Sequence, residues 1–163
     1  MKYCPQCATE LVEQELAGRT RQVCPACGYV FWNNPLPVVA GIVELDGQVV
    51  MTHKREWPLD RFGLVAGFVE AGETTEEAIV REVAEETGLQ ASVDALVGVY
   101  TLLNRNQVFI VYHLHATGGA LQVGEELESV RLVGREELPA VLEGLPPSSG
   151  SRQAVFKWLG QGE

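Results

Sequence analysis

Positive charge is scarce in this chain: 12 Lys and Arg stand against 22 Asp and Glu, for a formal net charge of −10. A surface that grips a long polyphosphate backbone needs a basic stripe. Nucleic acid is therefore disfavoured as a partner, whereas a small anion arriving with its own metal ions is not. Long apolar runs are missing too. None approaches the ~20 residues of a membrane span, and no apolar signal segment accompanies the start Met1-Lys2-Tyr3-Cys4. The expectation is a cytoplasmic protein with no membrane partner. Internal repeats are absent, hydrophobic residues make up 46% of the chain and mean hydropathy is near zero, which fits a globular protein.

Cysteine is confined to Cys4, Cys7, Cys24 and Cys27, two Cys-x-x-Cys knuckles separated by sixteen residues. That spacing suits a Cys₄ structural Zn²⁺ site, each pair wrapping one side of a tetrahedral ion. With all four ligands from protein, no position stays open for catalysis. Gly28, just past the second knuckle, favours the tight turn that brings backbone amides to the thiolates. Two disulfides are the alternative, disfavoured without a secretion signal. Residues 1–32 are read as this ribbon, with short strands near Glu10–Glu15, Thr20–Val23 and Tyr29–Trp32, and 33–37, with two prolines, as a linker. The remaining 38–163 suffices for one compact domain.

The segment Gly67 to Leu89 carries the chemistry. Ala78–Thr87 holds good helix formers without Gly or Pro, Thr74 with Glu77 makes a capping box, and Gly88 is placed to end the helix. Helical spacing puts Glu82, Glu85 and Glu86 within roughly a 100° arc, with Ile79, Val80, Val83 and Thr87 forming the core stripe. Three carboxylates this close repel one another. A hard divalent cation compensates well, and Mg²⁺ commonly joins carboxylates to substrate phosphates. A solvated acidic face is the alternative; the Gly-rich stretch ahead of the helix and Arg81 within it favour the metal.

Gly67, then Glu73, then Arg81-Glu82-Val83-Ala84-Glu85-Glu86-Thr87-Gly88-Leu89 matches, gap-free, the box of the Nudix hydrolases, and the chain resembles the zinc-ribbon members of that family. The resemblance implies an α/β/α sandwich with a mixed sheet, the small zinc ribbon preceding it. It also implies two or three Mg²⁺ or Mn²⁺ on Glu82, Glu85 and Glu86 with a backbone carbonyl near Ala66. Around that cofactor, Ala66 and Gly67 form the lead-in, and Glu73 pairs with Arg81 to fix loop against helix. Aligning Val130-Arg131-Leu132 with relatives places Glu126 at a loop glutamate that assists catalysis; a solvated turn is the alternative. The activity implied is cleavage of the diphosphate in a nucleoside diphosphate derivative (ADP-ribose, FAD or NADH-like). A nucleotide-sensing module with an idle domain, or a hydrolase of RNA nucleotide caps, are the alternatives. A homodimer is compatible with this reading.

The arrangement is similar to NADH pyrophosphatases and to a smaller zinc-ribbon group associated with ADP-ribose and FAD. No proline lies between Pro58 and Pro139, so the proline-rich signature of the NADH group is absent, as is the single proline many ADP-ribose hydrolases carry after the box. Asn106–Ile110 and Gly124–Glu128 resemble the smaller group. Elsewhere, Val38–Leu45 and Gln48–Lys54 read as a hairpin across Asp46-Gly47, Arg55–Ala66 as a loop, Ala91–Leu103 and Val108–Ala116 as a second hairpin, Val130–Val133 as a strand and Ser148–Leu159 as a terminal helix. Trp57, Phe62 and Tyr100 are candidates for base stacking or for packing. His53, His113 and His115 read as packing or surface residues, with no acidic neighbour in sequence to complete a metal site.

Overall fold

The structure, a computed structural model, describes residues 1–160. It forms two compact units, Met1–Pro35 and the chain from Leu36 onward. In the first, β1 (Val12–Leu16), β2 (Arg19–Val23) and β3 (Val30–Phe31) make an antiparallel sheet in that order.

The second unit is built on a mixed sheet of β4 (Leu36–Leu45), β5 (Gln48–Lys54), β6 (Val65–Phe68), β7 (Leu89–Leu102), β8 (Gln107–Gly119) and β9 (Leu127–Gly134). The order is β7-β8-β4-β5-β9 with β6 also paired to β4; β4 and β8 run parallel and the other pairs antiparallel. Leu36 and Pro37, read from sequence as linker, belong to β4.

Burial on β4 is unbroken from Val38 to Val43, as a strand covered on both sides requires, and successive side chains enter opposite cores. Val38, Ala40 and Ile42 enter a core with Leu138 and Leu142 around α2 (Leu138–Val141) and Ala154 and Val155 of α3 (Gly150–Trp158). Val39 and Val43 face Ala78, Ile79 and Val83 of α1 (Thr75–Thr87). The result is the α/β/α sandwich. Among the described residues no helix is long and apolar enough to cross a membrane.

Two expectations need correction. Asp46 and Gly47 do turn the chain, both with positive φ, yet β4 and β5 pair only at Glu44↔Val49 and Leu45↔Gln48. Beyond that point the strands part, and β6 takes the edge of β4, from Val38↔Phe68 to Gly41↔Val65. The end of the Arg55–Ala66 stretch read as a loop is thus the start of β6; four residues, one of them Gly67, are too short to show a period. The α2 turn was also missed, being a single turn at a proline. α3 is capped by Ser149, whose side chain accepts from Arg152 N.

Candidate active site

Helix α1 is fixed at both ends by its sequence. Thr74 accepts from Glu77 N while the Glu77 carboxylate accepts from Thr74 N at 2.8 Å, and Gly88 closes the other end in left-handed backbone at φ 69°. The helix starts at Thr75, directly after the expected cap. Glu85 and Glu86 lie in its last turn, where the helix dipole disfavours anions. Local stability is set aside there, as happens where function dictates residue choice.

The three carboxylates stand in different surroundings. Glu85 is exposed, Glu82 half-buried, and Glu86 buried at 4% exposure. Gly67 on β6 lies directly beneath Glu82, and a Cβ at position 67 would fall into the Glu82 carboxyl. Glu86 Oε2 accepts from Ala66 N at 3.3 Å. Its other oxygen, Oε1, is buried and accepts no hydrogen bond; Lys54 Nζ lies 3.1 Å away, held also by the Ala66 carbonyl at 3.4 Å. Burial pushes the Glu86 carboxyl above its ordinary pKa, with Lys54 pulling the other way.

Arg81 organises the cluster. Its Nε and Nη2 form a fork on Glu73 at 3.0 and 2.7 Å, Nη1 donates to Glu82 at 2.7 Å and to Glu85 at 3.2 Å, and Nη2 reaches Phe68 O. The fork, helped by Glu70 N, lowers the Glu73 carboxyl to about 2 and pushes the Arg81 guanidinium up.

The acidic loop reaches this site by a backbone route. Gln122 N donates to Thr87 O at 2.8 Å and Gly124 N to Glu86 O at 2.9 Å, satisfying carbonyls that the end of α1 leaves free. A Cβ at Gly124 would meet Glu85 O and Glu86 Cα, so the loop lies flush on the helix. Glu125 and Glu126 follow and line the same cavity as Glu82, Glu85 and Glu86, whereas Glu128 turns to Arg55 at 3.8 Å.

That cavity holds about 940 Å³, near the top of the range for small-molecule sites. Its other walls carry Trp57, Arg61, Arg105 and Phe109, with Ser149 to Ser151 at the start of α3. Of the three aromatic candidates, Trp57 reaches the cavity and lies against Gly63. Phe62 packs on His53 instead, and Tyr100 joins the α3-side core with its hydroxyl buried and unpartnered. Lys54, Arg61 and Arg105 escaped the sequence reading; being cations in a chain of charge −10 was their only signal.

His113 and His115 are half-buried and exposed, in keeping with the packing or surface reading, yet both have acidic partners. His113 Nε2 meets Glu44 at 2.7 Å and His115 Nδ1 meets Asp94 at 2.7 Å, so the acidic partners missing nearby in sequence come from neighbouring strands. These pairs lie outside the cavity lining.

The donors around Glu86 suit a hard divalent cation: a buried carboxylate oxygen whose one partner is the Lys54 ammonium, a backbone carbonyl and two more carboxylates, with a glycine leaving room beneath them. In the first unit the four Sγ atoms lie within 4.8 Å of one another, with Cys4–Cys27 at 3.5 Å and Cys7–Cys24 at 3.4 Å. A tetrahedral Zn²⁺ with bonds near 2.3 Å separates its sulfurs by about 3.8 Å. Among the described residues, no other group of His, Cys, Asp and Glu draws together this closely.

The family model of the NUDIX domain matches residues 35–156, and that of the Nudix N-terminal region matches 2–33. The chain belongs to the Nudix family. It is 37% identical over 116 residues to an ADP-ribose pyrophosphatase of Methanocaldococcus jannaschii, covering 68% of this chain and 69% of that one. It is 24% identical to the NAD-capped RNA hydrolase NudC of Stutzerimonas stutzeri, over 97% of this chain and 54% of that protein. The chain thus spans about half the length of the latter relative. A crystal structure of a NUDIX hydrolase from Nitrosomonas europaea superposes with a TM-score of 0.78 at 30% identity, covering 85% of this chain and 81% of that one. This Nudix chain is accordingly a hydrolase of phosphoanhydride bonds. Mg²⁺ or Mn²⁺ are the cofactors of such hydrolases, and the four clustered cysteines and matched ribbon region suit structural Zn²⁺.

Proposed function

We propose that this chain cleaves the diphosphate of a nucleoside diphosphate derivative of the ADP-ribose, FAD or NADH kind, releasing a nucleoside monophosphate. The observation that carries the reading is Glu86: a buried carboxylate whose Oε1 shares the Lys54 ammonium with the Ala66 carbonyl, beside Glu82 and Glu85 in a cavity of nucleotide size.

Glu82, Glu85 and Glu86, with the Ala66 carbonyl, would hold Mg²⁺ or Mn²⁺. The chemistry supplied by the bound ion is neutralisation of the diphosphate's charge and activation of a water nucleophile. Arg81 does not bind substrate in this reading. Its donors are spent on Glu73, Glu82, Glu85 and Phe68 O, which sets the spacing of the carboxylates. Gly67 keeps the floor under Glu82 open, and Glu126 or Glu125 is placed to orient water or take its proton. Four thiols free to bind metal fit a reducing, cytoplasmic compartment.

The test is nucleotide release from a panel of ADP-ribose, FAD, NADH and diadenosine polyphosphates with Mg²⁺ or Mn²⁺. Silence on all of them would leave a nucleotide-binding module with an idle domain. The name of the NudC relative favours one second reading, removal of a nucleotide cap from RNA. An NAD-capped oligonucleotide added to the panel separates the two.

A further inference from the structure

Basic side chains in the second unit are almost all committed. Lys54 meets Glu86, Arg55 meets Glu128, Arg81 its four partners, Arg131 meets Glu137, and Arg135 meets Glu44. Arg152 donates to Leu145 O and Lys157 to Val97 O. Among the described residues of this unit, Arg61 and Arg105 alone have neither an ion pair, a hydrogen bond nor a ring contact for their guanidinium. Both line the cavity.

Their main chains, by contrast, are pinned. Arg61 O accepts from Nδ1 of the buried His53 at 2.7 Å, which fixes the proton on that nitrogen, and Arg61 N donates to Pro58 O at 2.9 Å. Arg105 sits in the 3-10 turn Leu103–Arg105, closed by Asn106 in left-handed backbone; Leu36 N donates to Asn106 O at 2.9 Å. Each guanidinium therefore has a fixed root and a free fork. A planar fork of uncommitted donors matches phosphate oxygens in pairs. In a chain of net charge −10, with six carboxylates lining the same cavity, the half-buried Arg61 and the exposed Arg105 are the cations there left open to an incoming anion.

We propose that Arg61 and Arg105 form an anion subsite, separate from the helix carboxylates, that holds a phosphate of the nucleoside monophosphate half of the substrate. This rests on the proposed function for the nature of the substrate. Because the subsite owes nothing to the metal, it retains the released nucleotide after the ions are withdrawn.

The experiment is calorimetric titration of AMP and of adenosine into the full-length protein in EDTA, zinc content being checked before and after. AMP is expected to bind about tenfold or more tightly than adenosine, the scale of one charge-assisted hydrogen bond. In R61Q/R105Q that preference should vanish with melting unchanged, since neither guanidinium makes an ion pair, hydrogen bond or ring contact within the protein. Equal affinity for AMP and adenosine, no AMP binding without metal, or wild-type binding by the double variant would each overturn the subsite. Hydrolysis of the panel without Arg-dependent AMP binding overturns the subsite and spares the proposed activity. Arg-dependent binding without any hydrolysis supports the subsite and removes the activity.

Discussion

The ammonium of Lys54 stands 3.1 Å from Glu86 Oε1 and 3.4 Å from the Ala66 carbonyl, the two oxygens that a divalent ion would share. It acts as a built-in counter-ion, offsetting the burial that pushes the Glu86 carboxyl up. Lys54→Met should therefore have two opposed effects. Metal-free stability should fall, by roughly 1–3 kcal/mol, because a buried carboxylate loses its partner while the partly exposed lysine limits the loss. Mn²⁺ affinity of the substrate-free protein, read by paramagnetic resonance of unbound Mn²⁺, should rise, since no ammonium competes. An unchanged affinity would rule out competition.

Turnover should depend steeply on the helix. Glu85→Gln and Glu86→Gln should each lower kcat by ~100-fold or more, the scale of losing a key electrostatic group. Glu85→Gln should leave melting unchanged or raise it, relieving like-charge crowding at the wrong end of the helix dipole. Full activity in both variants would remove the carboxylates from the chemistry.

Among the loop glutamates the structure narrows the choice to two. Glu126→Gln is expected to reduce turnover, and Glu128→Gln to do little because Glu128 is turned to Arg55. Glu125→Gln decides whether the role is unique, as both residues line the cavity. Small, equal losses at all three positions would mark a solvated turn.

Acid should expose the Glu73–Arg81 fork. The Glu73 carboxyl lies at about 2 in the folded chain, below an ordinary value of 4.5. A depressed carboxylate stabilises fully above its unfolded pKa and loses that contribution as pH falls through the folded one. Melting temperature should thus drop between about pH 4.5 and 2, and Glu73→Gln should flatten that segment of the curve. Parallel curves would show that the fork adds no net stability.

Zinc should be found at one ion per chain and should survive mild chelation that strips Mg²⁺ and stops turnover. Its removal by a strong chelator should unfold Met1–Pro35, since in such sites binding free energy is folding free energy. Fresh protein with intermolecular disulfides and no zinc would contradict the assignment.

Legibility followed physical range. The cap at Thr74, the stop at Gly88 and the carboxylate face were readable because each depends on neighbours within a turn or two of helix. The four cysteines were readable because metal spacing is local within each knuckle. Lys54 was not: it meets Glu86 only because β5 and α1 pack on a common sheet, 32 residues apart in sequence. The acidic partners of His113 and His115 were hidden likewise, supplied by strand register rather than by sequence distance. Tyr100 stayed open between stacking and packing because an aromatic on a strand looks the same whether it faces core or ligand.

The return of the chain from β8 to Gly124 is anchored on the last carbonyls of α1. Whatever happens at the far tip between β7 and β8, where Arg105 sits, the glutamates after Gly124 are delivered to the same place. Lengthening or rewriting that tip would leave every carboxylate where it is. On the roles proposed above, reactivity and selectivity would ride on separate stretches of backbone, so the choice of substrate could be altered at the tip without retooling the chemistry.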